Sequence, residues 1–177
     1  MEVTAKLVHQ HADALLDSEI SQYWVDNAIG VPENLVPVRL REVIAIARDE
    51  SGKLVGVATV KVIWVPRLKN WFHTFRVSVA KDARASILRL APAQWVDTKL
   101  FYLVLNYLER SFDPTVSDSP IGLYINVSNP KRNAVLNAPV ESQSGLTFLG
   151  YNVDGEQIHI KYYPGAQIGL ATPPTLS

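Results

Sequence analysis

Apolar and polar positions change period several times along the chain, and each change predicts an element. Thr4 to Val8 reads as a short first strand. Leu16, Ile20, Tyr23 or Trp24, and Ala28 then recur at helical spacing as far as Gly30, which predicts an amphipathic helix with a glycine stop. Pro32 and Pro37 break the chain, and a strand-like run begins near Leu40. From Val43 to Ala47 the residues are β-branched or small. Asp49-Glu50-Ser51-Gly52 supplies turn chemistry, and Leu54, Gly56, Ala58, Val60, Val62 and Trp64 alternate along a second arm, so a β-hairpin is expected. A third antiparallel strand, about Trp71 to Val79, follows the Pro66-to-Asn70 connection.

Leu100, Leu103, Val104, Tyr107, Leu108 and Phe112 form one helical stripe, with Asp97 or Thr98 able to cap its start. A β-run from Ile121 to Val127 comes next, then a polar stretch containing Pro130 and Pro139. Two closing strands, Leu146 to Asn152 and Gln157 to Tyr163, flank Val153-Asp154-Gly155-Glu156. The order β-α-β-β-β-α-β-(α)-β-β predicts a mixed α/β (α+β) fold without internal repeats, one domain over residues 1–164 and a tail over 165–177.

Composition narrows the function classes. The chain has 177 residues, 47% hydrophobic and 19% charged, the balance of a packed globular protein and not of a disordered one. Its 17 basic and 17 acidic side chains cancel, which argues against nucleic acid or an anionic membrane as partner, although Tyr162, Tyr163 and the basic residues near Pro66 are the types that touch nucleic acid. The absence of cysteine removes disulfides, thiolate nucleophiles and Cys-ligated zinc, and fits a reducing cytoplasm. Met1 to Lys6 lacks the basic start and apolar run of a signal peptide, and no apolar stretch approaches ~20 residues, so a soluble protein is expected. His9, His11, His73 and His159 have no accompanying carboxylate cluster, so no metal site is predicted. No P-loop, dinucleotide glycine motif or G-x-S-x-G elbow occurs.

Three stretches carry a family resemblance. Gly52-Lys53-Leu54-Val55-Gly56 lies in the hairpin. Val79-Ala80-Lys81-Asp82-Ala83-Arg84 looks like "V-x-P-x-x-R". Leu123-Tyr124-Ile125-Asn126-Val127-Ser128-Asn129, followed by Gly145-Leu146-Thr147-Phe148-Leu149-Gly150-Tyr151, looks like "strand, N, short helix, G-F, strand". In this order, over about Arg41 to Tyr163, they resemble the GNAT N-acetyltransferase superfamily. The resemblance implies a predominantly antiparallel central sheet with helices on both faces. It also implies acetyl-CoA or another acyl-CoA as co-substrate, and direct acyl transfer to an amine on a small molecule or a protein.

Carried onto this chain, the family's cofactor contacts fall on Val77, Ser78 and Val79 of the strand and on Arg84, Ala85, Ser86 and Arg89 of the phosphate-binding turn, with Asn129 beyond the later strand. The family motif R/Q-x-x-G-x-G/A is degenerate here: Arg84 is kept, but Ile87 and Arg89 stand where glycine or alanine is expected. A β-branched Ile87 would crowd a phosphate and resist positive φ, whereas Arg89 offers a charged donor to an oxyanion. Pro92 interrupts the run before the long helix, so an inserted turn or short extra helix is expected. Asn129, before Pro130, reads either as a cofactor contact or as a helix cap.

His73 stands where many family members place the strand carboxylate that takes the amine's proton. An imidazole with an ordinary pKa of ~6.5 can do that work, and so can Glu42 at the start of the hairpin. The alternatives are a histidine packed between Trp71 and Phe75 and a glutamate facing solvent. The family's thiolate-protonating tyrosine is missing, because Leu136 and Asn137 occupy the place expected for it. Two functions follow: an acyl-CoA-dependent N-acyltransferase, or a GNAT-shaped binding or assembly module without catalysis. Trp64, Trp71 and Trp95 flank connections and are either core or an apolar patch that pairs subunits in a homo-oligomer.

Overall fold

The computed structural model describes residues 2–8, 13–84, 95–128, 136, 138–169 and 171–174, together with the backbone of 85–87. Among the described residues, seven strands, four α-helices and one 3-10 turn (Glu33–Leu35, between α1 and α2) occur, in the order β1 (Val3–Leu7), α1 (Ala14–Asp26), α2 (Val36–Arg41), β2 (Val43–Asp49), β3 (Leu54–Val65), β4 (Asn70–Val79), α3 (Lys81–Ile87), α4 (Val96–Ser111), β5 (Gly122–Val127), β6 (Thr147–Tyr151) and β7 (Gln157–Tyr162). Hydrogen bonding orders the strands β1-β2-β3-β4-β5-β7-β6. The β1–β2, β2–β3, β5–β7 and β6–β7 ladders are antiparallel, and β4–β5 is parallel. The fold is the mixed α/β class that the periodicity predicts, with the mostly antiparallel sheet that the resemblance implies.

The chain forms two compact units. Residues 1–60 and 76–108 make the first, residues 61–75 and 109–177 the second, and β3, β4 and α4 each run through both.

In the first unit the β2–β3 hairpin forms where the turn residues predict it. Asp49 Oδ1 accepts from the backbone N–H groups of Ser51 and Lys53, and Gly52 takes φ +86°. The strands are buried on both faces: Val43 to Ala47 and Leu54 to Ala58 have no exposed member. Small residues let a helix approach this sheet. A Cβ added to Gly56 would lie 2.7 Å from Val96 Cγ1 and 2.9 Å from Leu100 Cδ1 of α4. At the start of α1, Asp13 Oδ1 accepts from the N–H groups of Leu15 and Leu16, and Ile20, Tyr23 and Trp24 form the buried stripe.

Three expectations about element ends are corrected. The first helix does not reach Gly30: the Asn27 amide donates to Tyr23 O at 2.9 Å, and Ala28 takes the left-handed turn at φ +50°. Leu40 is not in a strand but in α2, because Pro37 lies in that helix's first turn, where a missing N–H costs nothing and a fixed φ helps. Asp97 and Thr98 do not cap α4 but lie inside it, since the helix starts at Val96 and Lys99 N–H already donates to Trp95 O.

In the second unit, β5 and β7 are in antiparallel register from Gly122↔Tyr162 to Val127↔Gln157. The backbones meet closely: a Cβ on Gly122 would lie 2.3 Å from the Lys161 carbonyl oxygen and 3.1 Å from Phe72 Cε1. Beside β7, β6 carries a bulge at Leu149, with Gly150 at φ +136°. Beyond β7, the described residues Gly169 and Thr172 are held by hydrogen bonds. Asn70 Nδ2 donates to Gly169 O, Trp71 Nε1 to Thr172 O, and Thr172 N–H to Asp118 Oδ1. Trp64 and Trp71 are half-buried and meet edge to face at 5.4 Å.

Gly122→Ala must displace backbone, whereas Gly56→Ala meets side-chain atoms alone, those of Val96, Leu100 and Ala47. We expect Gly122→Ala to abolish the cooperative urea transition or to cost roughly 4 kcal/mol or more, and Gly56→Ala to cost about 1–3 kcal/mol. Matching urea midpoints for the two variants would contradict this ranking.

Candidate functional site

In the second unit, His73 lies mid-way along β4, where the registered parallel ladder pairs His73 with Leu123 and Thr74 with Tyr124. Residues in register share a face, so His73 stands beside Leu123, which in turn faces Lys161 of β7. Tyr163 follows β7 and extends the pairing by donating its N–H to Ile121 O at 3.0 Å. Its hydroxyl lies 2.9 Å from His73 Nδ1, and the rings are 5.9 Å apart. Phe112 packs on Tyr163 with ring centroids 5.4 Å apart, and Tyr163 is only 2% exposed.

Electrostatics follow from this burial. Desolvation holds His73 down to about 4, so the ring is neutral near pH 7. Desolvation also pushes the Tyr163 phenol far above its ordinary range, and the Glu109 carboxylate adds to the rise. Glu109 is paired with Lys161 Nζ at 3.0 Å, and that ammonium also donates to Ser144 O. A second histidine, His159, is fully buried beside Phe148. Its Nε2 is 3.0 Å from Gln157 Oε1, its Nδ1 has no partner among the described residues, and burial lowers its pKa.

The other described residues among the predicted site lie in the first unit. Glu42 ends α2, half-buried, with Oε2 accepting from Arg39 Nη1 at 2.6 Å. Val77 and Ser78 are half-buried near the end of β4 and Val79 is buried; Ser78 Oγ is 3.4 Å from Val57 O. Burial pushes the Tyr23 phenol up to about 12. Ser78 lies close enough to oppose that rise, though not in hydrogen-bonding geometry, and the Tyr23 hydroxyl has no partner among the described residues.

Arg84 is in α3, while Pro92 and the inserted turn or short extra helix expected beside it lie outside the described residues. The Arg84 backbone N–H bonds to Ala80 O at 2.9 Å, and its Nε donates to Val79 O at 2.6 Å. The first N–H of α3, that of Lys81, is capped by Asn27 Oδ1 at 2.9 Å. Ala85 and Ser86 continue this helix. Arg89 and Asn129 lie outside the described residues. A cleft of about 290 Å³ beside α1, lined by Lys6, Asp13, Leu16, Glu19, Ile46 and Arg48, contains none of the predicted site residues; in it Glu19 holds Arg48 through two 2.6 Å bonds.

Glu42 and His73 therefore belong to different units, and Tyr163 is the member that sequence reasoning missed. Its one signal was position: on the closing strand, Lys161 and Tyr163 alternate onto the face that pairs with Leu123. The described residues contain no group of three or more His, Asp or Glu able to hold a metal ion, and no helix among them is long and apolar enough to cross a membrane.

No family model matches the sequence, and no curated protein sequence matches it. Solved structures do match. A phosphinothricin acetyltransferase of the GNAT superfamily from Sinorhizobium meliloti, in complex with AcCoA, superposes with a TM-score of 0.61 at 12% identity, over 97% of this chain and 94% of that one. A ribosomal-protein-S5-alanine acetyltransferase from Vibrio fischeri gives 0.58 at 10%, over 94% and 96%. A GNAT-family acetyltransferase from Streptococcus pneumoniae gives 0.58 at 10%, over 92% and 100%. The chain has the GNAT acetyltransferase fold.

The depressed His73 pKa fixes the sign of an acid effect. The unfolded ring takes its proton near 6.5 and the folded ring only near 4, so the unfolded state binds more protons between these values. Stability attributable to this ring is complete above about 6.5 and is lost as pH falls towards 4, by about 3 kcal/mol at most. His159 acts in the same direction. Urea midpoints at pH 7 and pH 4.5 should fall less for His73→Gln than for wild type; equal falls would show that this ring does not carry the effect.

Proposed function

We propose that this chain is an acyl-CoA-dependent N-acyltransferase that moves an acetyl or larger acyl group directly to an amine. The observation that carries the reading is the parallel β4–β5 ladder, registered at His73–Leu123 and Thr74–Tyr124, in a fold that the AcCoA-bound acetyltransferase shares. In this reading the backbone of Val77, Ser78 and Val79 contacts the thioester arm. Arg84 serves the phosphates: the Val79 carbonyl fixes its Nε, and the Nη groups remain as charge-assisted donors to an anion. Ala85, Ser86, Arg89 and Asn129 complete the proposed cofactor contacts. His73 is the proposed catalytic group. Glu42 is the weaker candidate for a base, since its carboxylate is bonded to Arg39. The amine's proton and the departing thiolate combine to give free CoA thiol.

A second reading, a binding or assembly module without catalysis, is favoured by a specific observation. The start of α3 is capped by Asn27, and both the Arg84 N–H and its Nε are already bonded within the chain, so this turn offers a phosphate fewer donors than an open glycine-rich turn would.

Calorimetric titration and thermal shift with acetyl-CoA separate the two. A ligand at one hundred times its Kd stabilises by ~2.7 kcal/mol, and Arg84→Ala should weaken binding roughly tenfold through loss of a charge-assisted contact. No heat and no shift at millimolar acetyl-CoA would reject the acyltransferase.

A further inference from the structure

The Tyr163 hydroxyl determines which nitrogen of His73 carries the proton. Tyr163 is a neutral phenol, 2% exposed, and its hydroxyl hydrogen needs an acceptor. Among the described residues the acceptor within reach is His73 Nδ1 at 2.9 Å. The opposite arrangement, Nδ1–H donating to the phenol oxygen, would leave a buried O–H without an acceptor, and such a group costs about 1–3 kcal/mol. That penalty corresponds to a bias of roughly 5- to 150-fold towards the Tyr163-donating form. Charged neighbours reinforce it. The Glu109 carboxylate helps keep the phenol protonated, and Lys161 holds Glu109. Phe112 packs against the Tyr163 ring, keeping the hydroxyl on His73.

We infer that Tyr163 is a positioning residue that locks His73 as the Nε2–H tautomer, so that His73 presents a hydrogen-bond donor, not a lone pair, to whatever lies beyond the ring. The use made of that donor rests on the acyltransferase reading; the protonation state does not. In acyl transfer, the amine nitrogen bonds to the thioester carbon and its oxygen gains negative charge. The C–S bond then breaks, and the nitrogen's extra proton ends on the thiolate. His73 Nε2–H donates to the carbonyl oxygen as charge develops, neither gaining nor losing a proton, so the sequence-based expectation that it takes the amine's proton gives way to an electrophilic role. A neutral imidazole suits this role, because it stays a donor over the whole range above its depressed titration.

Two measurements decide the matter. Nitrogen-15 NMR of the histidine-labelled protein should show His73 Nδ1 at the shift of an unprotonated nitrogen and Nε2 at that of a protonated one, with Tyr163→Phe moving the ring to a tautomer mixture. A merely structural contact would leave the tautomer unmoved. Nδ1 protonated in the wild type overturns the inference, and this spectrum decides even if Tyr163→Phe fails to fold or acetyl-CoA fails to bind. If turnover is found, His73→Gln tests the role, because a glutamine amide donates and accepts but cannot act as a base. It should retain more than about a tenth of kcat, whereas His73→Ala falls by about 10²–10³-fold. Equal loss in both variants would restore the base and reject the donor.

Discussion

The backbone approach of β7 to Gly122 is the constraint from which the second unit's chemistry follows. With the Lys161 carbonyl oxygen 2.3 Å from where a Cβ would stand, only glycine allows β5 and β7 to hold the register Gly122↔Tyr162. That register sets Lys161 opposite Leu123 and carries Tyr163 to Ile121, and the parallel pairing of Leu123 with His73 completes the row. A slip of one residue would turn every side chain of β7 to the other face and take the hydroxyl away from the imidazole. One small residue on a buried strand thus fixes a hydrogen bond between positions ninety apart in sequence.

Burial decides how that pair behaves. In water a histidine near neutral pH is a mixture of charge states, but the packed face removes the charged form. Tyr163 then selects between the two neutral forms. The same face holds Glu109 and Lys161 as a compensated pair, so each of these polar groups has a hydrogen-bonding or ionic counterpart. The first unit works differently. Its strands pack small and branched side chains on both faces, and its charged residues form surface pairs such as Lys53–Asp82, whose two side chains are 58% and 62% exposed.

Much of the fold was legible because the hydrophobic period is strong where burial is strong. The β2–β3 hairpin, β4, α4, β5 and the closing pair all stand within a residue or two of their predicted ends. The failures have local causes. Pro32 and Pro37 were read as breakers, yet Pro37 sits in the first turn of a helix; Gly30 was read as a stop, yet the Asn27 side chain closes α1 earlier. The site was less legible. His73 and Ser78 could be singled out from their strand, but the His73–Tyr163 bond is a product of register, which no local pattern in either segment encodes. Arg84 stood out by motif, and its bond to Val79 O depends on α3 starting at Lys81.

The contacts of Gly169 and Thr172 bear on how the chain is made. Asn70 is 5% exposed, and its side-chain amide donates both to Leu68 O and, across ninety-nine positions, to Gly169 O. During synthesis the β3–β4 turn emerges long before its distant acceptor, so that buried amide must wait, hydrated, until the ribosome has delivered nearly all the residues described. The second unit therefore closes late, and a nascent chain stalled short of Gly169 would carry an open seam along the start of β4.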